Sequence, residues 1–313
     1  MPRKVIIDCD MGTDDTVALC MLLFDERLEV LGVTAVAGCV DSEQANRNLQ
    51  AILTVLDPAR YPRIGLASPV EDGPPVDTQF LYGHDGLGNA DFESSVRQNA
   101  PTSDKLIIDA VRRHPDEVTI VCLGPLTNLA RAIRREPQIA PMIDRVVMMG
   151  GSLTASGNIT PAAEFNFYFD PKSAREVLAA RTTNLVVPLD VAKSVKFGMG
   201  ILRDVPGDSS RVGELLRQIL PFTFRAHRQQ LGLESITLND AVGALAVLEP
   251  DLFDFQPMAA DVEIEGGLTR GVLVLDRRER PEWRHNIDIA VSIRETASQY
   301  IVDQLTMAGH KSS

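Results

Sequence analysis

The feature that most constrains this chain's fold is a series of short, unbroken apolar runs, each followed by a polar turn and a stretch of helical periodicity. Lys4–Asp8 reads as a buried strand, and Asp14–Phe24 as a helix entered through a turn at Gly12. Glu29–Ala37 and Arg63–Ala67 read as further strands, with a helix over Ser42–Leu56 between them and Ser42 as its expected N-cap. Helices follow at Ser103–Arg113, Leu126–Arg135, Pro171–Ala180, Gly213–Leu231, Leu238–Leu248 and Glu295–Met307. Strands are read at Glu117–Leu123, Arg145–Met149 and Asn184–Pro188, and strand-like runs at Ala260–Glu265 and Gly271–Leu275. Residues 68–100 and the stretch from Gly150 to Phe169 read as polar loops. A strand that is apolar at every position needs cover on both faces. The alternation therefore predicts an α/β chain with a mostly parallel central sheet and helices on both faces. No linker, repeat or low-complexity segment divides the 313 residues, so residues 1–313 read as one domain.

Such sheets place ligands beyond the carboxyl ends of their strands. The suspicious residues fall there. Asp8, Asp10, Asp14 and Asp15 crowd the end of the first strand, Gly38-Cys39 follow the second, and Leu123-Gly-Pro-Leu-Thr-Asn128 and Gly150-Gly151 follow later ones. Like charges at contact distance repel, more strongly as water is removed. Three explanations compete. Two of the acids could simply complement a helix N-terminus, which leaves Asp8 and Asp10 unexplained. The pattern Asp8-x-Asp10-x-Gly12-Thr13 also superficially resembles the nucleophile loop of haloacid-dehalogenase-type phosphatases. Such an enzyme needs a downstream lysine, for which Lys172, Lys193 and Lys196 are available, and a later acidic pair that is not evident. The third is a hard cation such as Ca²⁺, held by carboxylate and carbonyl oxygens, which acidifies a water whose proton a neighbouring carboxylate accepts. A glycine-led loop, Gly157–Asp170, adds Asn158, Glu164 and Asn166 among apolar residues. Two amides and a carboxylate suit sugar hydroxyls, and are unfavourable to bury without partners.

With both motifs identified, the chain resembles the inosine–uridine-type nucleoside hydrolases over nearly its whole length. Asp8-Cys-Asp-x-Gly-x-Asp-Asp15 matches their amino-terminal signature, and Gly157-Asn158 with Pro161-Ala-Ala-Glu-Phe-Asn166 their ribose-binding loop. Asp85-Gly-Leu-Gly88, Gly124-Pro-Leu-Thr-Asn128, Met149-Gly-Gly151 and Asn239-Asp240 follow in the expected order. The resemblance implies a Rossmann-like nucleoside hydrolase fold, a bound Ca²⁺ and hydrolysis of the N-glycosidic bond of ribonucleosides. Carried over by position, Asp10, Asp15, Asp240 and the backbone carbonyl of Thr127 would bind Ca²⁺, and Asp10 would also take the proton of the attacking water. Asp14 and Asn166, with Asp240, would hold ribose hydroxyls. Asn158 and Glu164 would grip the 5′ end, and Met149 would pack beneath the sugar. Asp8 would stand behind these residues or merely end the strand.

The chain departs from the family pattern on the leaving-group side. Cys39 stands where many members carry Asn, replacing an amide by a weak donor. Asn239 stands where many carry a His that protonates the departing base. An amide cannot do this, and loss of a general acid can reduce rate by about 10²- to 10⁴-fold. His227, His84 and Tyr82 are the candidates to border the pocket there. The alternatives are hydrolysis of another small N-riboside, and a ribose-binding relative without turnover.

The formal net charge of −12 argues against nucleic acid or an anionic membrane as partner. A small ribonucleoside, bound by a homodimer or homotetramer, fits better. Cys9, Cys20, Cys39 and Cys122 form no Cys-x-x-Cys pair and read as reduced thiols of a cytoplasmic protein. No signal peptide is read at the start. The longest apolar run, Val17 to Phe24, is too short to span a membrane.

Overall fold

A computed structural model describes residues 2–70, 73–74, 77–94 and 99–312. In chain order the strands are β1 (Arg3–Cys9), β2 (Leu28–Ala35), β3 (Arg63–Gly65), β4 (Val118–Cys122), β5 (Arg145–Met149), β6 (Asn184–Val187), β7 (Phe197–Gly198), β8 (Ser235–Ile236), β9 (Phe253–Met258), β10 (Ala260–Val262), β11 (Leu273–Leu275) and β12 (Ile287–Ile293). Eight of them form the central sheet in the order β3-β2-β1-β4-β5-β6-β12-β9. Every pairing in it is parallel except that of β9 with β12. The helices are α1 (Thr13–Leu23), α2 (Ser42–Leu56), α3 (Gln79–Tyr82), α4 (Ser103–Arg113), α5 (Thr127–Arg135), α6 (Phe165–Phe169), α7 (Pro171–Ala179), α8 (Leu189–Ala192), α9 (Ile201–Asp204), α10 (Arg211–Ala226), α11 (Asn239–Leu248) and α12 (Ala297–Lys311).

The unbroken apolar runs are explained by two cores, one on each face. Val5, Ile7, Val33 and Val121 join α1, α2, α10, α11 and α12 on one side. Their chain neighbours Ile6, Ile120 and Cys122 join α4, α5 and α7 on the other. Because side chains alternate along a strand, each run feeds both cores at once. All four cysteines are free, three of them buried and Cys39 partly so. No helix among the described residues is long and apolar enough to cross a membrane.

Several expectations need correction. The cap of α2 is Asp41, whose side chain accepts from Gln44 N at 2.7 Å, rather than Ser42. The loop region 68–100 carries α3, and its residues 71–72, 75–76 and 95–98 lie outside the described residues. The second polar loop ends in α6, not at Phe169. Ala260–Val262 and Leu273–Leu275 pair with each other, away from the main sheet. The sheet is completed instead by β12 and β9. Their polar interruptions and Pro257 hide them in the sequence, and proline is tolerated because β9 is an edge strand.

The order of strands reverses between β1 and β4, because the chain grows outward on either side of that pair. This is the topological switch point at which such sheets open a crevice beyond their carboxyl ends. β1, β2, β4 and β5 all deliver their final residues to it.

Candidate active site

A cavity of about 540 Å³ occupies that crevice, and Asp10, Asp14, Met149, Asn166 and Asp240 line its depth. β1 brings Asp10 to the edge, Met11 takes a left-handed backbone (φ 64°), and Gly12 caps α1. The turn is fixed by Gly12 N, which donates to Asp15 Oδ2 at 2.8 Å. Asp10 Oδ2 accepts from Cys39 N at 2.7 Å, and the Cys39 thiol lies 3.2 Å from the Asp10 carbonyl. This approach requires glycine beside it: a Cβ on Gly38 would stand 2.1 Å from Asp10 Oδ2. Asp15 and Asp240 lie in the first turns of α1 and α11, which pack side by side.

Side-chain ligand atoms of Asp10, Asp15 and Cys39 fall within 4.8 Å of one another, as do those of Asp14, Asp15 and Asp240. Asp15 is fully buried, and its Oδ1 has no hydrogen-bond partner. Among the described residues, no Lys, Arg or His side chain bonds to any of these four acids. Burial, reinforced by the charge of Asp10, pushes Asp14 and Asp15 above the ordinary carboxylate range. Burial and the charges of Asp14, Asp15 and Asp10 do the same to Asp240. Four carboxylates this crowded, with one oxygen unpartnered and no bonded cation among the described residues, fit a hard divalent ion.

Asp8 is not part of the cavity wall. Its Oδ1 accepts from Thr34 Oγ1 at 2.5 Å and Asn128 Nδ2 at 2.8 Å, and burial raises its pKa to about 7. Thr127 opens α5, is buried, and donates its hydroxyl to Asp170 at 2.7 Å. Of the four expected ion ligands, Asp10 and Asp240 line the cavity, whereas Asp15 and Thr127 lie buried behind its wall.

The residues expected on the sugar side line the same cavity. Asn166 Nδ2 donates to the carbonyls of Leu123 (2.7 Å) and Met149 (3.0 Å), which turns its amide against the ends of β4 and β5. Glu164 caps α6, accepting from Asn166 N at 2.8 Å and Phe167 N at 3.2 Å, and also from Gly151 N at 3.0 Å. Its carboxyl therefore organises the backbone as well as facing the cavity, and burial outweighs those N–H groups, raising its pKa to about 7. Asn158 sits exposed at the mouth, where its Oδ1 accepts from Phe165 N at 2.8 Å.

Tyr82, His227 and Asn239 also line the cavity. The Tyr82 hydroxyl is held well above its ordinary pKa, first by the Asp14 charge and then by burial. His227 Nδ1 bonds to the Thr223 carbonyl at 2.9 Å, and burial depresses its pKa. The Asn239 Oδ1 is buried without a partner. His84 does not belong here. It is exposed, its ring engages Asn89 at 2.6 Å and Asp91 at 3.0 Å, and it borders a neighbouring pocket of about 310 Å³. Sequence reasoning missed Phe80, Leu231 and Leu233, which form an exposed apolar rim. Phe80 lies in the four-residue α3, Leu231 ends the helical turn that follows α10, and Leu233 lies just beyond it, so no apolar period in the sequence joins the three. Lys193 and Lys196 also line the cavity.

The family model described as inosine-uridine preferring nucleoside hydrolase matches residues 5–299. Uridine nucleosidase 1 of Arabidopsis thaliana is 33% identical over 269 residues, spanning 84% of this chain and 79% of the plant protein. The pyrimidine-specific ribonucleoside hydrolase RihB of Escherichia coli (strain SE11) is 31% identical over 282 residues, 88% of this chain and 87% of the bacterial one. The solved purine-preferring ribonucleoside hydrolase from Gardnerella vaginalis superposes with a TM-score of 0.90 at 25% identity, covering 99% of both chains. The matched segment runs from β1 into α12 and contains every acid of the cavity, so the chain belongs to the inosine–uridine preferring nucleoside hydrolase family and is a ribonucleoside hydrolase.

Proposed function

We propose that the protein uses Ca²⁺ to hydrolyse the N-glycosidic bond of pyrimidine ribonucleosides, uridine foremost, giving free base and ribose. The observation that carries this reading is the close quartet Asp10, Asp14, Asp15 and Asp240, with no cationic partner among the described residues and an unsatisfied buried oxygen on Asp15. The ion would be held by Asp10, Asp15 and Asp240 with the Thr127 carbonyl. When bound, it supplies the charge that acidifies water and grips a vicinal diol.

The protein's own groups do the rest. Asp10, fixed by the Cys39 N–H, accepts a proton from the attacking water as its oxygen bonds to C1′. The C1′–N bond breaks, its electron pair leaves with the base, and the base anion takes its proton from solvent. The sugar passes through an oxocarbenium-like state, which the surrounding carboxylates favour. Asp14, Asn166 and Asp240 orient the 2′ and 3′ hydroxyls, Asn158 and Glu164 the 5′ end, and Met149 supports the ring. Holding the anomeric carbon in this way can contribute several kcal/mol. The pyrimidine preference is supported by the names of the plant and enterobacterial relatives.

The test is release of reducing sugar from a panel of purine, pyrimidine and nicotinamide ribosides. Uridine should be cleaved, and Asp10→Ala should reduce the rate by at least ~10³-fold without unfolding the chain. A folded protein that releases ribose from none of the panel, or an Asp10→Ala variant that keeps its rate, would defeat the reading.

A further inference from the structure

We propose that Asp190, which does not line the cavity, is the positioning residue for the loop 152–158, and through it sets the affinity for the 5′ end of the substrate. This rests on the assignment of Asn158 to that end.

The loop leaves β5 and belongs to no sheet, so something else must hold its backbone. Asp190, on α8, does so. Its Oδ2 accepts from Leu153 N at 2.6 Å and Ser152 Oγ at 3.1 Å. Its Oδ1 accepts from Thr154 N at 2.8 Å, Ala155 N at 2.6 Å and Thr154 Oγ1 at 3.0 Å. Three successive backbone N–H groups thus converge on one carboxylate, and charge-assisted bonds of this kind are the strong ones. The residues on either side extend the contact. Leu189 N donates to the Gly151 carbonyl at 2.9 Å, and Lys193 Nζ to the Ser156 carbonyl at 3.3 Å. Beyond this anchor the chain reaches Gly157 and Asn158, which line the cavity. There the Asn158 backbone N–H donates to Ala163 at 3.2 Å, and its Oδ1 accepts from Phe165. Asn158 is therefore held on one side by the α6 turn and on the other by α8. Without Asp190, three N–H donors turn to water and the loop samples more conformations. Binding must then reorder it, which weakens affinity and leaves the chemical step little changed. Asparagine cannot substitute, since it offers one acceptor oxygen and sets its own N–H against the donors.

The experiment measures kcat and KM of the full chain for uridine and 5′-deoxyuridine in Asp190→Ala, the milder Asp190→Asn, Asn158→Ala and the double variant Asp190→Ala/Asn158→Ala. Asp190→Ala should raise KM for uridine roughly tenfold, the factor for about one lost polar contact, with kcat within about threefold. It should change 5′-deoxyuridine much less and add little in the Asn158→Ala background. An unchanged KM for uridine, a loss carried by kcat alike on both substrates, or a full extra factor in the double variant would overturn the proposal. If Asn158→Ala itself leaves the preference for uridine over 5′-deoxyuridine intact, the 5′-end assignment has failed instead. Hydrogen exchange then decides the role of Asp190. Amides 153–155 losing protection in the folded Asp190→Asn protein sustains the anchor, and amides that stay protected refute it.

Discussion

At the scale of single residues, the site depends on how closely backbone and carboxylate approach. Gly38 has no room for a side chain, because a Cβ would overlap Asp10 Oδ2 at 2.1 Å. Gly38→Ala should therefore displace Asp10, weaken ion binding and lower kcat/KM by ~10²-fold or more, as misplacing a catalytic group by about 1 Å does. A calcium titration and rates on uridine check this, and wild-type values for both would contradict it. Glu164 gives a pH signature. Its folded-state pKa, about 7, lies above the ordinary 4.5 because of burial. Between those values the folded chain keeps a proton that the unfolded chain has released, so stability falls as pH rises through that window. The upper limit of the effect is ~3 kcal/mol. Urea midpoints at pH 5 and pH 7.5 should fall in the wild type relative to Glu164→Gln, whose neutral side chain removes this dependence. Parallel profiles would show that Glu164 is ionised throughout.

At the scale of elements, the β1–α1 turn is steadied from outside by α2. Asn48 is 4% exposed. Its Nδ2 donates to the Met11 carbonyl at 3.2 Å and the Asp85 carbonyl at 2.7 Å, joining the β1–α1 turn to the loop after α3. Asn48→Ala leaves both carbonyls buried and unpaired, and should lower stability by about 2 kcal/mol and raise the calcium dissociation constant. A calorimetric scan with and without calcium measures both, and an unchanged melting temperature would contradict the tie. The parallel sheet was legible because runs such as Val5-Ile-Ile7 supply both cores at once. The acids and the loop with Asn158, Glu164 and Asn166 stood out as lining a cavity because polar groups clustered at strand ends have few structural explanations. Other features were not. Asn48 looks like any polar helix residue until the fold brings Met11 and Asp85 to it. The five bonds of Asp190 join segments about 35 residues apart. His84 stood in the right stretch of sequence, but the local turn and its partners Asn89 and Asp91 face it away from the cavity.

At the scale of the molecule, the reversal of strand order beside β1 opens the crevice, and the N-termini of α1 and α11 bring Asp14 and Asp240 to its wall. A formal charge of −12 does not repel a neutral nucleoside, and it favours capture of a cation. A cation held by these acids in the native chain alone would stabilise the fold by ~3 kcal/mol at a hundredfold excess over its dissociation constant. The most direct measurement is therefore the metal content of the purified chain and of Asp15→Ala, taken alongside uridine hydrolysis before and after chelation. The account predicts one Ca²⁺ per chain in the wild type and none in Asp15→Ala, with activity lost on chelation and restored by calcium. A metal-free chain that cleaves uridine at an undiminished rate would contradict it.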